Sequence, residues 1–281
     1  MDTKEGILFL CATPIGNLSD ISMHVLDTLK EADLIAAEDT RNSIKLLNRF
    51  DIHTPMTSYH EYNKYDKAEE LIRLMREGKN VALITDAGTP AISDPGEVLV
   101  RMCHEEGIRV TSLPGPCACI TALTLSGLST RRFCFEGFLP SGKKERKEIL
   151  SQLSSEMRTT ILYEAPHHLK NTLEQLEEAL GDRKMALCRE LTKKHEECIH
   201  TTLSEAVSYY KENEPRGEYV LVIEGADPAR KKEMEQQAFL QMPIEAHMEY
   251  YQNQGMDKKE SMKKVAADRG LTKREVYQQL L

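Results

Sequence analysis

The sequence predicts an α/β protein built as two αβ domains, residues 1–113 and 114–227, followed by a small helical segment, residues 228–281. Three observations predict it. Short apolar runs alternate with segments of helical period. Loops rich in Gly, Pro and Asp follow the apolar runs, where strand-to-helix turns belong. After residue 227 the β-branched runs cease and Lys, Glu, Gln and Met dominate, a composition suited to helices.

In chain order, residues 7–12 read as a strand, and Asp20 then caps a helix with Ile21, Val25 and Leu29 on one face. Residues 34–37 form a second strand. A helix over 67–77 stops at Gly78, and 81–85 is a buried strand. A helix over 97–106 stops at Gly107 and leads into a strand over 109–113. This β-α-β rhythm predicts a largely parallel sheet with helices on both faces. Leu113-Pro-Gly-Pro116 breaks the rhythm and marks the domain boundary. Beyond it come a helix over 118–126, strands over 133–138 and 160–163, a helix over 168–180 stopped by Gly181, and strands over 184–188 and 219–223.

Length and composition narrow the function. At 281 residues the chain exceeds one ordinary core, and 40% hydrophobic with 29% charged residues is globular. The N-terminal MDTKEGILFLCA lacks a basic leader, and the longest apolar-leaning stretch, 117–128, is too short and polar to span a bilayer. A soluble, cytoplasmic protein is expected. Seven cysteines, with no CxxC pair, argue against a disulfide framework or a metal site and for a reducing compartment. The net charge of −8 argues against nucleic acid as a partner until its distribution is considered. Residues 230–281 hold ten Lys/Arg against eight Asp/Glu, and residues 131–147 hold six against two. Such runs also read as solvated helix faces.

Neither a dinucleotide fingerprint (GxGxxG) nor a P-loop (GxxxxGK[ST]) is present. TPIGNLSD (13–20), after the first strand, has too little glycine to wrap a pyrophosphate. TDAGTPAISDPG (85–96) is different. Gly88 and Gly96 allow close backbone approach, and its prolines hold it stiff. A stiff acidic loop at a strand end suits a small cationic or zwitterionic ligand. Alone, it reads better as a long β-to-α turn.

It is one of eight ordered motifs. AEDTR (37–41), LPGPCA (113–118), FEGFLP (135–140), YEAPHHL (163–169), RELTKKHEE (189–197) and GEYVLVIEG (217–225) complete the set. Together they resemble the ribosomal small-subunit RNA 2′-O-methyltransferase I family, a branch of the tetrapyrrole methylases. The resemblance implies that fold, with an S-adenosylmethionine cleft between the αβ domains. It implies cofactor contacts from Pro14, Asp86, Ala87, Gly88, Ile92, Ser93, Cys117, Ala118, Tyr163, Gly217 and Glu218. It implies methylation of a ribose, a cytidine's, in the 30S subunit's RNA, without metal or membrane, by a homodimer. The chain departs from the family at His168, where arginine is usual. A neutral imidazole does not replace a forked guanidinium.

Transfer to a hydroxyl needs alignment, desolvation and a proton acceptor. Glu38, Asp39, Glu164 and Glu190 are candidate bases. Arg41, Arg189 and Lys193 are candidates for holding RNA or stabilising an oxyanion. The rival reading is that these are interdomain salt bridges, equally good for Glu38 and Glu190, and the sequence does not choose the base. The basic run 131–147 is expected near the cleft, with Lys143, Lys144, Arg146 and Lys147 at the RNA. In the tail, Ala266, Gly270 and Val276 have helix-turn-helix offsets, and TKRE (272–275) is a capping box. Lys263, Lys264, Lys273 and Arg274 are its expected RNA contacts. Two alternatives stay open, a methyltransferase for a tetrapyrrole-like small molecule and a non-enzymatic helix-turn-helix RNA-binding protein.

Overall fold

A computed structural model describes residues 5–227, 229 and 239–280. It divides into two compact units, Met1–Gly225 and Ala226–Leu281.

In the first unit, β1 (Ile7–Cys11), β2 (Leu34–Ala37), β3 (Met56–Ser58), β4 (Val81–Ile84) and β5 (Arg109–Leu113) form a sheet in the order β3-β2-β4-β1-β5. Every pairing is parallel, as the sequence predicts. The central strand β4 reads VALI and is buried throughout, because helices cover both faces. On one face Leu71 and Met75 of α3 (Lys64–Arg76) and Leu99 of α4 (Gly96–Glu105) meet Leu8, Leu10 and Leu83. On the other, Val25 and Leu29 of α1 (Met23–Glu31) and Leu47 of α2 (Thr40–Arg49) meet Ile35, Ala82 and Ile84. Each buried aliphatic side chain contributes about 1.5–3 kcal/mol. The chain runs from β1 towards β2 and β3 on one side, and from β4 to β5 on the other. The order of the sheet therefore reverses between β1 and β4, where a crevice opens at the carboxyl ends of the strands.

The second sheet comprises β6 (Phe133–Phe138), β7 (Thr159–Glu164), β8 (Lys184–Arg189), β9 (Glu197–Thr202) and β10 (Tyr219–Ile223), in the order β6-β7-β10-β8-β9. Only β6 and β7 pair in parallel, and the other three pairings are antiparallel. The apolar α5 (Ala118–Leu125) packs on one face with Ile161, Ala186 and Val222. The other face meets α6 (Lys143–Leu153), α7 (Pro166–Leu180) and α8 (Leu203–Glu212) around Leu162, Leu173, Leu203 and Leu221.

In the second unit, α9 (Ile244–Asn253), α10 (Lys258–Arg269) and α11 (Lys273–Gln279) close over Met248, Tyr251, Val265 and Val276. Gly270 ends α10 at φ +67°, and the Thr272–Glu275 capping box opens α11. These are the turn glycine and the cap that the sequence places there. Residues 228 and 230–238 of the expected helical segment lie outside the described residues. Among the described residues no helix is long and apolar enough to cross a membrane.

Candidate active site

A cavity of about 530 Å³ lies at the crevice between β1 and β4 and reaches the strand ends of the second sheet. Its floor is set by a backbone clamp. Thr13 N–H donates to Gly88 O at 2.9 Å and Gly88 N–H to Thr13 O at 3.0 Å, which ties the loops after β1 and β4 together. Gly88 sits at φ +88°, and a Cβ there would lie 3.3 Å from Ile15 Cγ2. Asp94 holds the rest of the loop, its carboxylate accepting the Ile92 and Gly96 N–H groups at 3.0 and 2.8 Å. Four of the five described non-glycine residues at positive φ lie in two loops at this cavity, namely Ala91, Ser93, Glu190 and Thr192. Strain of about 1–3 kcal/mol each is held here rather than spread through the fold.

The second sheet contributes side chains. Tyr163, at the end of β7, is braced edge-on by Phe135 and Phe138, with ring centroids 4.9 and 5.6 Å away. Its hydroxyl accepts the Cys119 N–H at 3.1 Å, joining β7 to the start of α5. Burial pushes its phenol well above the usual range. Lys193 Nζ donates to Glu190 Oε1 and Glu218 Oε2, both at 2.9 Å. That lysine holds the Glu190 carboxyl below its ordinary value. Gly217, at φ +78°, makes room for this group, since a Cβ would come within 2.6 Å of Glu190 Oε1.

An acidic lip faces the lysine network from the first sheet. Thr85 Oγ1 donates to Glu38 Oε2 at 2.6 Å, and Asp39 N–H donates to Asp86 Oδ1 at 3.2 Å. Desolvation, and then the charge of Glu38, raise the Asp86 pKa. Asp39 is the opposite case, drawn to about 2 by hydrogen bonds from Arg41. At the start of α5 the Cys117 and Cys119 sulfurs lie 3.4 Å apart, and that contact draws the Cys117 thiol down to about 6.

Of the cofactor residues expected from sequence, Asp86, Ala87, Gly88, Ile92, Ser93, Cys117, Ala118, Tyr163 and Glu218 line the cavity. Pro14 and Gly217 do not; Ile15 takes the first position, and Gly217 stands behind Glu190. Of the catalytic candidates, Glu38, Glu164, Glu190 and Lys193 line it, whereas Asp39, Arg41 and Arg189 lie outside. Arg41 is paired with Asp39 at 2.7 Å and Arg189 with Glu197 at 2.9 Å. Glu164 is buried and engaged, accepting from Ala165 N–H at 2.8 Å and Thr172 Oγ1 at 2.5 Å. Sequence reasoning missed Thr85, Phe138, Leu191 and Tyr219, which line the cavity too. All four stand inside or beside quoted motifs, so their signal was adjacency at a strand end.

The basic run 131–147 does not form one patch. Lys143, Lys144 and Lys147 are exposed at the start of α6, which follows the cavity residue Phe138 by a short loop. Arg146 turns inward and donates to Gln175 Oε1 and Thr172 Oγ1 at 2.5 and 2.6 Å. Arg131 and Arg132 sit at the other end of β6, about 20 Å away, and line a separate cleft with Arg158 and Lys184. The expectation that the whole run lies near the cavity is corrected, because the run brackets a full strand. His168 is exposed in the first turn of α7 beside His167 and does not line the cavity. In the second unit Lys263, Lys264, Lys273 and Arg274 are all exposed.

Among known families, the one described as Tetrapyrrole (Corrin/Porphyrin) Methylases matches residues 8–207. The chain is 47% identical to the "Ribosomal RNA small subunit methyltransferase I" of Bacillus subtilis (strain 168), across 97% of this chain and 93% of that protein. It is 44% identical to the protein of the same name from Synechocystis, across 97% and 96%. Among solved structures, a cobalt precorrin-4 methyltransferase of cobalamin biosynthesis covers 78% of this chain and 94% of its own at TM-score 0.58, with 18% identity. A diphthine synthase covers 78% and 90% at TM-score 0.62, with 15% identity. At such identities these two structures speak for the fold alone.

Proposed function

The chain belongs to the ribosomal RNA small subunit methyltransferase I family of the tetrapyrrole methylases, and from this we propose that it methylates a ribose 2′-hydroxyl, a cytidine's, in the RNA of the 30S subunit. S-adenosylmethionine is the family's cofactor. The residues present suit it. The cavity has the size of a small-molecule site, the bare Gly88 and its clamp leave backbone accessible, and an acidic lip faces a cationic ligand. When bound, the cofactor supplies an electrophilic methyl group on a positively charged sulfur.

The protein's own part is to bind, align and accept a proton. Gly88, Ala87 and Ser93 shape one wall with their backbone, while Tyr163 and Phe138 form an apolar wall that excludes water. Such alignment accounts for up to about 7–11 kcal/mol of barrier in favourable intramolecular cases. Among the four candidate bases, Asp39 is held by Arg41, Glu190 by Lys193, and Glu164 by Thr172 and the start of α7. Glu164 is buried with both carboxylate oxygens engaged. Half-buried Glu38 lines the cavity, accepts from Thr85 Oγ1 and Asp86 N–H on one oxygen alone and has no cation partner among the described residues, so it is our choice of acceptor for the hydroxyl proton. Lys193 stands within the same cavity and suits the RNA phosphate.

The observation that carries this reading is the clamped glycine loop at the sheet's reversal point, facing Glu38. The test is transfer of labelled methyl from S-adenosylmethionine to 30S subunits, set against a tetrapyrrole acceptor. Labelling of the tetrapyrrole alone would refute the RNA reading. Exposed Lys263, Lys264, Lys273 and Arg274 support phosphate contact by the second unit. Changing all four to Glu should weaken RNA binding and flatten its log–log salt slope by roughly 0.7–0.9 per lost phosphate contact. We also propose a homodimer. Support comes from α5, which leaves the large apolar side chains Ile120 and Leu125 exposed. Sedimentation of wild type and Ile120→Lys checks it.

A further inference from the structure

The turn after β3 presents aromatic rings to solvent. Residues 59–65 read YHEYNKY. Tyr59 anchors the turn from below. It is buried, its N–H donates to Ala37 O at 2.8 Å, and its hydroxyl donates to Pro95 O at 3.0 Å. Ala37 precedes the cavity residue Glu38, and Pro95 ends the glycine loop one residue after the cavity residue Asp94. The turn itself is closed. Asn63 N–H donates to His60 O at 3.0 Å, Asn63 Oδ1 accepts the His60 N–H at 2.8 Å, and Asn63 Nδ2 donates to Ser58 O at 3.3 Å.

Tyr62 holds the third position of this turn and is 97% exposed. Turn positions of this kind ordinarily take Gly, Asn, Asp or Ser for conformational reasons, and none of those reasons selects tyrosine. Its ring meets the His60 ring edge-on at 6.1 Å, and Tyr65, 57% exposed, follows with the Lys64 ammonium 5.6 Å from its centroid. In a chain of only ten Tyr, six Phe and no Trp, two tyrosines in solvent on one braced turn form a local concentration. The turn stands at the carboxyl end of β3, on the same sheet edge as the cavity. β3 is separated from β4 by β2 alone, so the two strand ends lie about 10 Å apart. A nucleotide adjoining one in the cavity reaches that far.

We propose that Tyr62 is a stacking platform for an unpaired base of RNA next to the nucleotide whose ribose enters the cavity. The proposal rests on the RNA methyltransferase reading above. Proteins that bind single-stranded RNA stack splayed bases on aromatic side chains, and every base has a face to offer. The bonds around Asn63 fix the backbone of the turn before RNA arrives, so little backbone ordering is lost on binding.

The absence of tryptophan supplies the test, since Tyr62→Trp places a single indole at the tip of the turn. A short single-stranded RNA oligonucleotide should quench its emission, and inorganic polyphosphate, which has charge but no base, should not. Tyr62→Ala should weaken binding of the oligonucleotide about tenfold, ~1.4 kcal/mol, while Tyr62→Phe binds as wild type. S-adenosylmethionine affinity should be unchanged in all three variants. Absence of quenching, undiminished binding by Tyr62→Ala, or a Phe variant as weak as the Ala variant would overturn the platform. Quenching by RNA in a protein that transfers no methyl to RNA would sustain the platform and overturn the enzymatic reading instead.

Discussion

The two sheets supply the cavity with different materials. The parallel sheet offers mainly backbone, in loops of small residues such as Ala87, Gly88 and Ser93 held by the Thr13–Gly88 clamp, with Glu38 and Asp86 as an acidic lip. The mixed sheet offers large side chains from its strand ends, with Tyr163 and Phe138 as rings and Glu190, Lys193 and Glu218 as charges. A backbone wall has one shape, so damage to the glycine loop should be all or none. Side chains, those of the Glu38–Asp86 lip included, are lost one contact at a time, so damage to them should be graded.

The largest expected effect is on the backbone side. Gly88→Val puts a branched side chain at φ +88°, a conformation L residues rarely adopt, against Ile15. Calorimetry should find no S-adenosylmethionine binding while the circular dichroism spectrum stays that of a folded protein. Retained affinity would erase the distinction between the two walls. Next comes Glu38→Gln, which should lower methyl transfer by roughly 10²–10⁴-fold in single-turnover assays at saturating cofactor. A rate near wild type would remove Glu38 as the proton acceptor.

Asp86 provides a pH signature. A carboxyl whose pKa is raised takes up its proton at higher pH than the ordinary value of about 3.9. Below that point it is neutral and no longer attracts a cation. Cofactor affinity should therefore fall on acidification, beginning above the usual carboxylate range. Asp86→Asn should flatten this dependence. Glu38→Gln removes a charge that raises the pKa, so it should move the fall to lower pH. On the side-chain wall the effect is smaller. Lys193→Ala leaves Glu190 and Glu218 without their shared cation and should cost a few-fold in cofactor affinity, since partly exposed pairs contribute about 1 kcal/mol or less. The smallest effect is kinetic. Cys117 should be the fastest of the seven thiols to alkylate near neutral pH, and S-adenosylmethionine should slow it; equal rates with and without cofactor would put Cys117 outside the bound ligand's footprint.

The same contrast explains what was legible in sequence. A strand buried on both faces must be apolar at every position, so β4 announces itself as VALI, and its loop stands out through Gly88, Pro90 and Pro95. β9, reading ECIHTT at the sheet edge, is half polar and carries no such signal. β3, three residues long, and the polar α2 and α6 escaped for the same reason. Antiparallel pairing of β7, β10 and β8 is also invisible, because strand composition does not state direction. At the site, motif strings led to Asp86 and Tyr163, but which carboxylates are free depends on the partners that folding brings to them. Glu164 is taken by Thr172 and Glu218 by Lys193. Nothing in AEDTR distinguishes Glu38, which faces the cavity, from Asp39, which faces Arg41.

The most direct test is the chemical position of the methyl group. A ribose 2′-O-methyl blocks alkaline cleavage of the adjoining phosphodiester. RNA from 30S subunits labelled by this protein and radioactive S-adenosylmethionine should thus, after alkaline hydrolysis, carry its label in an uncleaved dinucleotide with cytidine at the modified position. Wild type should give that product, and Gly88→Val and Glu38→Gln should give little or none. Label recovered in mononucleotides would mean methylation of a base, and would contradict the account of Glu38 as acceptor of a ribose hydroxyl proton.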